Sequence, residues 1–76
     1  MGIRESIIKW HTGKPTETGW YVVTVKNEYG ELYTDTDFYV INVGFKNYWF
    51  AFDDSSKEEI IAWCPLSEIE PYKEEV

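Results

Sequence analysis

Cysteine is nearly absent from this chain, and the one thiol, Cys64, has no second cysteine to pair with. An internal disulfide is therefore excluded, and with His11 as the only histidine no Cys/His set is available for a structural zinc. A lone thiol with no oxidising framework fits a reducing cytosol. Basic residues are also scarce. Seven Lys and Arg stand against fourteen Asp and Glu, a net charge of −7, and such a chain is repelled by phosphate backbones, which disfavours direct nucleic-acid binding. No apolar run approaches the ~20 residues that a membrane span requires. Long helical periodicity is missing. The glycines Gly13, Gly19, Gly30 and Gly44 are scattered and form no phosphate-binding loop. Gly2 and Ser6 match a myristoylation pattern superficially, but nothing polybasic follows them, and the expectation is an ordinary element start.

What the chain has in excess is aromatic side chains: four Trp, six Tyr and four Phe in 76 residues. A chain near this size buries only about 60% of the surface it exposes when unfolded, so large core residues must do what staples do elsewhere. Not all of Trp10, Trp20, Tyr21, Tyr33, Phe38, Tyr48, Trp49, Phe50 and Trp63 fit inside so small a fold, and exposed aromatic patches mark interfaces. Two readings stand: a core plus a homo-oligomer contact, or an aromatic face that holds a peptide or a flat small molecule.

The clearest strand is Gly19–Lys26, where a glycine opens an unbroken run of aromatic and β-branched residues. Alternation places Trp20, Val22 and Thr24 on one face and Tyr21, Val23 and Val25 on the other. Both sets are largely apolar, which predicts a central strand covered on both sides, or a small barrel whose aromatics shield the outer face. Around it the sequence predicts a turn in residues 3–7 leading to a first strand near Ile7–His11, then a loop over Thr12–Thr18. A hairpin turn at 27–31 leads to a partner strand from Leu32. Thr34–Asp37 reads as a solvated edge strand or a kink. Phe38–Phe45 is a further run, with Gly44 marking a bend, and Tyr48–Phe52 and Ile60–Cys64 are the last strands, with Pro65 ending the latter. The expectation is a mainly β fold: about five short antiparallel strands in a twisted meander or SH3-like half-barrel, with little helix. A flat sheet crossed by one helix is the alternative. Residues 1–72 are expected to form one domain, docked as far as Tyr72, with 73–76 a frayed acidic tail.

Chemistry is harder to find. Any triad would need His11, which sits beside Trp10 at a strand end and reads as a partly exposed structural residue. Asp35 and Asp37 are two residues apart and share a face of a strand, where a pair of carboxylates can bind a cation or simply discourage sheet association. Asp53-Asp54-Ser55-Ser56 lacks the spaced acids and glycine of a calcium loop. Cys64 reads as a buried apolar thiol. No catalytic residue, metal or cofactor is expected. Charge is uneven: residues 27–76 hold twelve acids against Lys46, Lys57 and Lys73. That acidity serves solubility or offers a surface to a basic partner.

Trp10, the Pro15 loop, Gly19-Trp20-Tyr21-Val22-Val23-Thr24, Tyr48-Trp49 and Ala62-Trp63-Cys64-Pro65-Leu66 form a pattern that resembles the small phage and prophage proteins grouped as domain of unknown function 551. Those have an opening Trp, a proline turn, a strand like YLVT and a closing W-x-P-L-P. The resemblance spans about residues 10–66 and departs from the pattern at Cys64 and Ser67, where the family usually has Met and Pro. It implies a phage or mobile-element origin, a bacterial host cytoplasm and no known catalytic residues. Small acidic phage proteins are often inhibitors of host defence complexes.

The expectation is thus a non-enzymatic interaction protein that binds and modulates a host protein, one with a basic, nucleic-acid-binding surface. It would act through Glu28, Glu31, Asp35, Asp37, Asp53, Asp54, Glu58 and Glu59, with Tyr48 and Trp49 as aromatic anchors. The alternative is an oligomeric module that sequesters a nucleotide-like molecule, for which Arg4, Lys9, Lys14 or Lys26 would have to converge.

Overall fold

The computed structural model describes residues 8–69 and residue 71. The turn predicted over residues 3–7, the docking of Tyr72 and the tail at 73–76 lie outside them. The protein is mainly β. Four antiparallel strands, β1 (Gly19–Lys26), β2 (Leu32–Val40), β3 (Tyr48–Trp49) and β4 (Glu59–Pro65), make one curled half-barrel sheet, and a single 3-10 turn follows at Leu66–Glu68. The strand order is β3-β2-β1-β4. Only β1 to β3 form a meander. The chain then crosses from one edge of the sheet to the other and adds β4 beside β1.

β1 is central, as its composition predicts, because it alone among the strands has full-length neighbours on both sides. Its two faces differ. Tyr21, Val23 and Val25 are buried and form the core with Tyr39 and Trp49, while Ile41, Phe52, Ile60 and Trp63 pack around them. Tyr21 meets Trp49 and Trp63 edge-on, with ring centroids 5.6 and 5.3 Å away. Its hydroxyl donates to the Glu17 carbonyl at 2.5 Å, which satisfies the phenol as its ring is buried. On the opposite face Trp20 stays 56% exposed. The expectation of a strand covered on both sides is therefore corrected. The core packs on one face, which the chain after Ala51 crosses, whereas the other face is closed at Cys64, opposite Val22, and open at Trp20.

Among the described residues four strands form rather than five, because residues 8–11 contribute a single bridge, at His11. His11 and Trp63 exchange both backbone hydrogen bonds, at 2.8 and 2.9 Å, and no strand forms over residues 8–10. The opening segment thus meets β4, not β1. β2 includes the stretch read as a solvated edge strand or a kink, and the edge reading holds: Thr34–Asp37 pairs in register with Val22, Val23 and their neighbours, with its far side unpaired until β3 joins at Tyr39 and Val40 and Thr34, Asp35 and Thr36 exposed. The run after Val40 turns instead of extending. Gly44 takes a φ of +84°, and the Phe45 amide donates to the Asn42 carbonyl at 2.9 Å.

β3 is shorter than the predicted Tyr48–Phe52 for a reason that lies in β2. Asp37 is 2% exposed, and its carboxylate accepts from the amides of Phe38, Ala51 and Phe52 at 2.8 to 3.2 Å. Those bonds draw Ala51 and Phe52 out of the ladder and turn the chain over the core. A buried acid therefore anchors the crossing that carries the chain to β4.

Candidate interaction surface

The hairpin tip is built around Asn27. Its Oδ1 accepts from the amides of Tyr29 and Glu31, both at 2.9 Å, and its Nδ2 donates to Glu31 Oε1 at 3.0 Å. Gly30, at φ +82°, closes the turn. Asparagine supplies the acceptor for those two amides, and glycine supplies the positive φ that the turn requires.

β4 begins beside this tip. Glu59 pairs with Lys26, so the end of the crossing segment and the hairpin share one end of the sheet. Two side-chain contacts join them. Lys57 Nζ lies 3.9 Å from Glu28 Oε2, and the Tyr33 hydroxyl donates to Glu58 Oε2 at 2.7 Å. Between the two segments lies an open cleft of about 300 Å³, lined by Asn27, Glu28, Tyr29, Ser56, Lys57 and Glu58. The hydrogen bond to Glu58 holds the Tyr33 phenol in its neutral form, and with the nearby charges of Glu58 and Asp35 its pKa is pushed up to about 12.

The ten residues singled out from the sequence do not all come together. Glu28, Glu31, Glu58 and Glu59 gather at this end of the sheet, brought together from two segments that are distant in the chain. Asp35 is exposed on β2, on the same face as Tyr33. Asp53 and Asp54 do not line the cleft. Asp53 organises its own turn by accepting from the Ser55 hydroxyl and amide, which lowers its pKa, and Asp54 pairs with Lys46. Asp37 is withdrawn from the set, because its carboxylate is buried and occupied by backbone amides. Trp49 is withdrawn too: at 8% exposed it packs on Tyr39 and Tyr21 in the core. Alternation is the cause, since Tyr48 and Trp49 point to opposite faces, and Tyr48 is the exposed one. Tyr29 and Lys57 belong to the cleft and were not singled out. The Tyr29-Gly30 pair was legible only as a turn tip, and Lys57 only as a loop charge.

The other chemical candidates make structural contacts. Asp35 and Asp37 share a strand face but differ in burial and partners, and no group of three or more metal-ligating side chains exists among the described residues. His11 stacks on Trp63, centroids 4.8 Å apart, and its Nε2 lies 2.8 Å from Glu68 Oε1. Trp63 Nε1 donates to the Gly13 carbonyl at 3.0 Å, so ring and backbone together fasten the opening loop to β4. Cys64 is buried, and burial pushes its thiol pKa up, away from the reactive thiolate. Of the cations a phosphate ligand would need, Lys26 stands at the hairpin end, whereas Lys9 and Lys14 flank the His11 bridge further along β4. Arg4 lies outside the described residues. No helix among the described residues is long and apolar enough to cross a membrane. Comparison with protein-family models, curated proteins and solved structures finds no match to this chain.

Proposed function

We propose that this chain is a non-enzymatic, phage-type interaction protein that acts in a bacterial host cytoplasm by binding and modulating, or inhibiting, a host protein. The observation that carries the reading is the convergence of Glu28, Glu31, Glu58 and Glu59 at one end of the sheet, around the cleft and the 79%-exposed ring of Tyr29. Acids grouped on the turn and at the start of β4 steer a basic partner toward the site, and the exposed aromatic at the turn tip supplies an anchor. A basic surface of the kind that binds nucleic acid is the natural complement.

The test is capture from a bacterial host lysate followed by quantitative binding to the captured protein. Affinity is expected to fall at least tenfold for Glu58→Lys with Glu59→Lys, and to weaken steeply as salt rises from about 50 to 300 mM, where the screening length contracts. An affinity indifferent to both would overturn the reading. The second reading, a nucleotide-sequestering module, draws on the cleft itself, with Tyr29 to stack and Lys57 as the cation. Glu28 and Glu58 oppose a phosphate there. Thermal stabilisation by a member of a nucleotide panel would favour this second reading.

A further inference from the structure

On β1 and β2 the face of the sheet turned away from the core carries no charge over most of its length, while on β4 Cys64, opposite Val22, is buried on that face. From Trp20 to Thr24 on β1, and from Thr34 to Val40 on β2, each side chain on that face is apolar or threonine. Charge returns only at Lys26, at the hairpin end. β2 directs its acids, Asp35 and Asp37, to the other face, the reverse of what a solvated outer face requires. At the end opposite the hairpin this surface becomes aromatic. Trp20 meets Phe38 edge-on at 5.3 Å, Val40 stands opposite Tyr48, and the Phe50 amide bonds to the Phe38 carbonyl, which sets Phe50 beside them. Trp20 is 56%, Tyr48 40% and Phe50 71% exposed.

We infer that this face is the contact between two copies of the chain, packed sheet on sheet. The absence of charge selects the partner. A surface that offered itself to a basic or acidic protein would carry the opposite sign, whereas an uncharged face is self-complementary and costs no ion desolvation when it meets itself. The aromatic corner lies at the far end from the acidic cleft. A two-fold axis in the interface, running across the strands through that corner, sends the two acidic ends to opposite poles and minimises repulsion between chains of net charge −7. The area suffices. Trp20, Phe38, Val40, Tyr48, Phe50 and Thr36 expose on the order of 500 Å² per copy, so their full burial in the pair removes about 1,000 Å², the lower bound for a specific interface. Sheets packed in this way stand about 10 Å apart. The contact does not depend on the host-binding surface, which it leaves open.

Sedimentation velocity from about 1 to 100 μM, a range that resolves ordinary dimer affinities, tests this. The wild-type chain is expected to reach twice its 9.0 kDa mass. Thr36→Glu and Phe50→Asp each place a charge on the face and are expected to give the 9.0 kDa species with an unchanged far-UV circular dichroism spectrum. Thr36 is exposed and takes no part in the core, so it decides the matter if Phe50→Asp fails to fold. Glu58→Lys with Glu59→Lys, at the other end, is expected to keep the doubled mass. A wild-type chain that stays at the single-chain mass, a folded Thr36→Glu that keeps the doubled one, or loss of the dimer on reversing Glu58 and Glu59 would overturn the inference.

Discussion

A carboxylate that is 2% exposed, like that of Asp37, loses several kcal/mol of hydration unless the protein replaces it. Here the amides of Phe38, Ala51 and Phe52 do so, and in turn the carboxylate satisfies amides that have left the ladder. Removing it leaves buried donors unpaired. Asp37→Ala is expected to cost about 3 kcal/mol, which for a domain this small lowers the thermal midpoint by roughly 15 °C; Asp37→Asn, which keeps one acceptor oxygen, should lose about half as much. Calorimetry checks both, and a negligible shift would mean that the crossing holds without its anchor. At the surface, Tyr33 makes a pH-dependent prediction. Its phenol ionises near 10.0 when unhindered and at about 12 against Glu58. The folded pKa is the higher one, so whatever this bond contributes is complete below pH 10 and is lost as pH rises through 12. Glu58→Ala is expected to bring this ionisation back toward 10, seen in a tyrosinate absorbance titration as the transition that Tyr33→Phe abolishes.

Among the elements, the 27–31 hairpin turn shows the closest match between residue type and geometry. Asn27 makes three side-chain hydrogen bonds, and Gly30 occupies a left-handed conformation that other residues adopt only with strain. Asn27→Ala is expected to destabilise by about 1 to 2 kcal/mol. The measurement is a lower urea midpoint at unchanged slope, since the surface exposed on unfolding stays the same. A changed slope would mean that the turn also shapes the unfolded chain. Because Glu28 and Tyr29 ride on this turn, the same variant should weaken partner binding without removing any charge. The elements that resisted reading are those whose length depends on a distant residue. Tyr48–Phe52 has strand composition throughout, yet β3 keeps two residues because Asp37 claims the amides that follow. Ile7–His11 also has strand composition, and its described part makes one bridge to Trp63.

For the whole molecule, the consequence of the strand order is a division of surfaces. The crossing covers one face of the sheet with Phe52 and its neighbours, delivers Glu58 and Glu59 to the hairpin end, and leaves Trp20, Tyr48 and Phe50 exposed on the other face. One route of the chain therefore creates the core, the acidic end and the uncharged outer face. A four-stranded layer with its core on one side cannot bury the aromatics carried by both faces of β1. That is why Trp20 is exposed although it sits in the most apolar strand of the sequence.

The mainly β class, the central place of Gly19–Lys26 and the hairpin turn were determined by local sequence, because strand propensity, turn chemistry and alternation act between near neighbours. Tertiary structure alone decided which face of β1 is covered, which of Asp35 and Asp37 is buried, whether Tyr48 or Trp49 faces outward, and that acids from 28–31 and 58–59 share one end. Alternation says that two side chains point apart and never which of them points inward. That choice belongs to the crossing, whose path is set by hydrogen bonds between residues fourteen and fifteen positions apart.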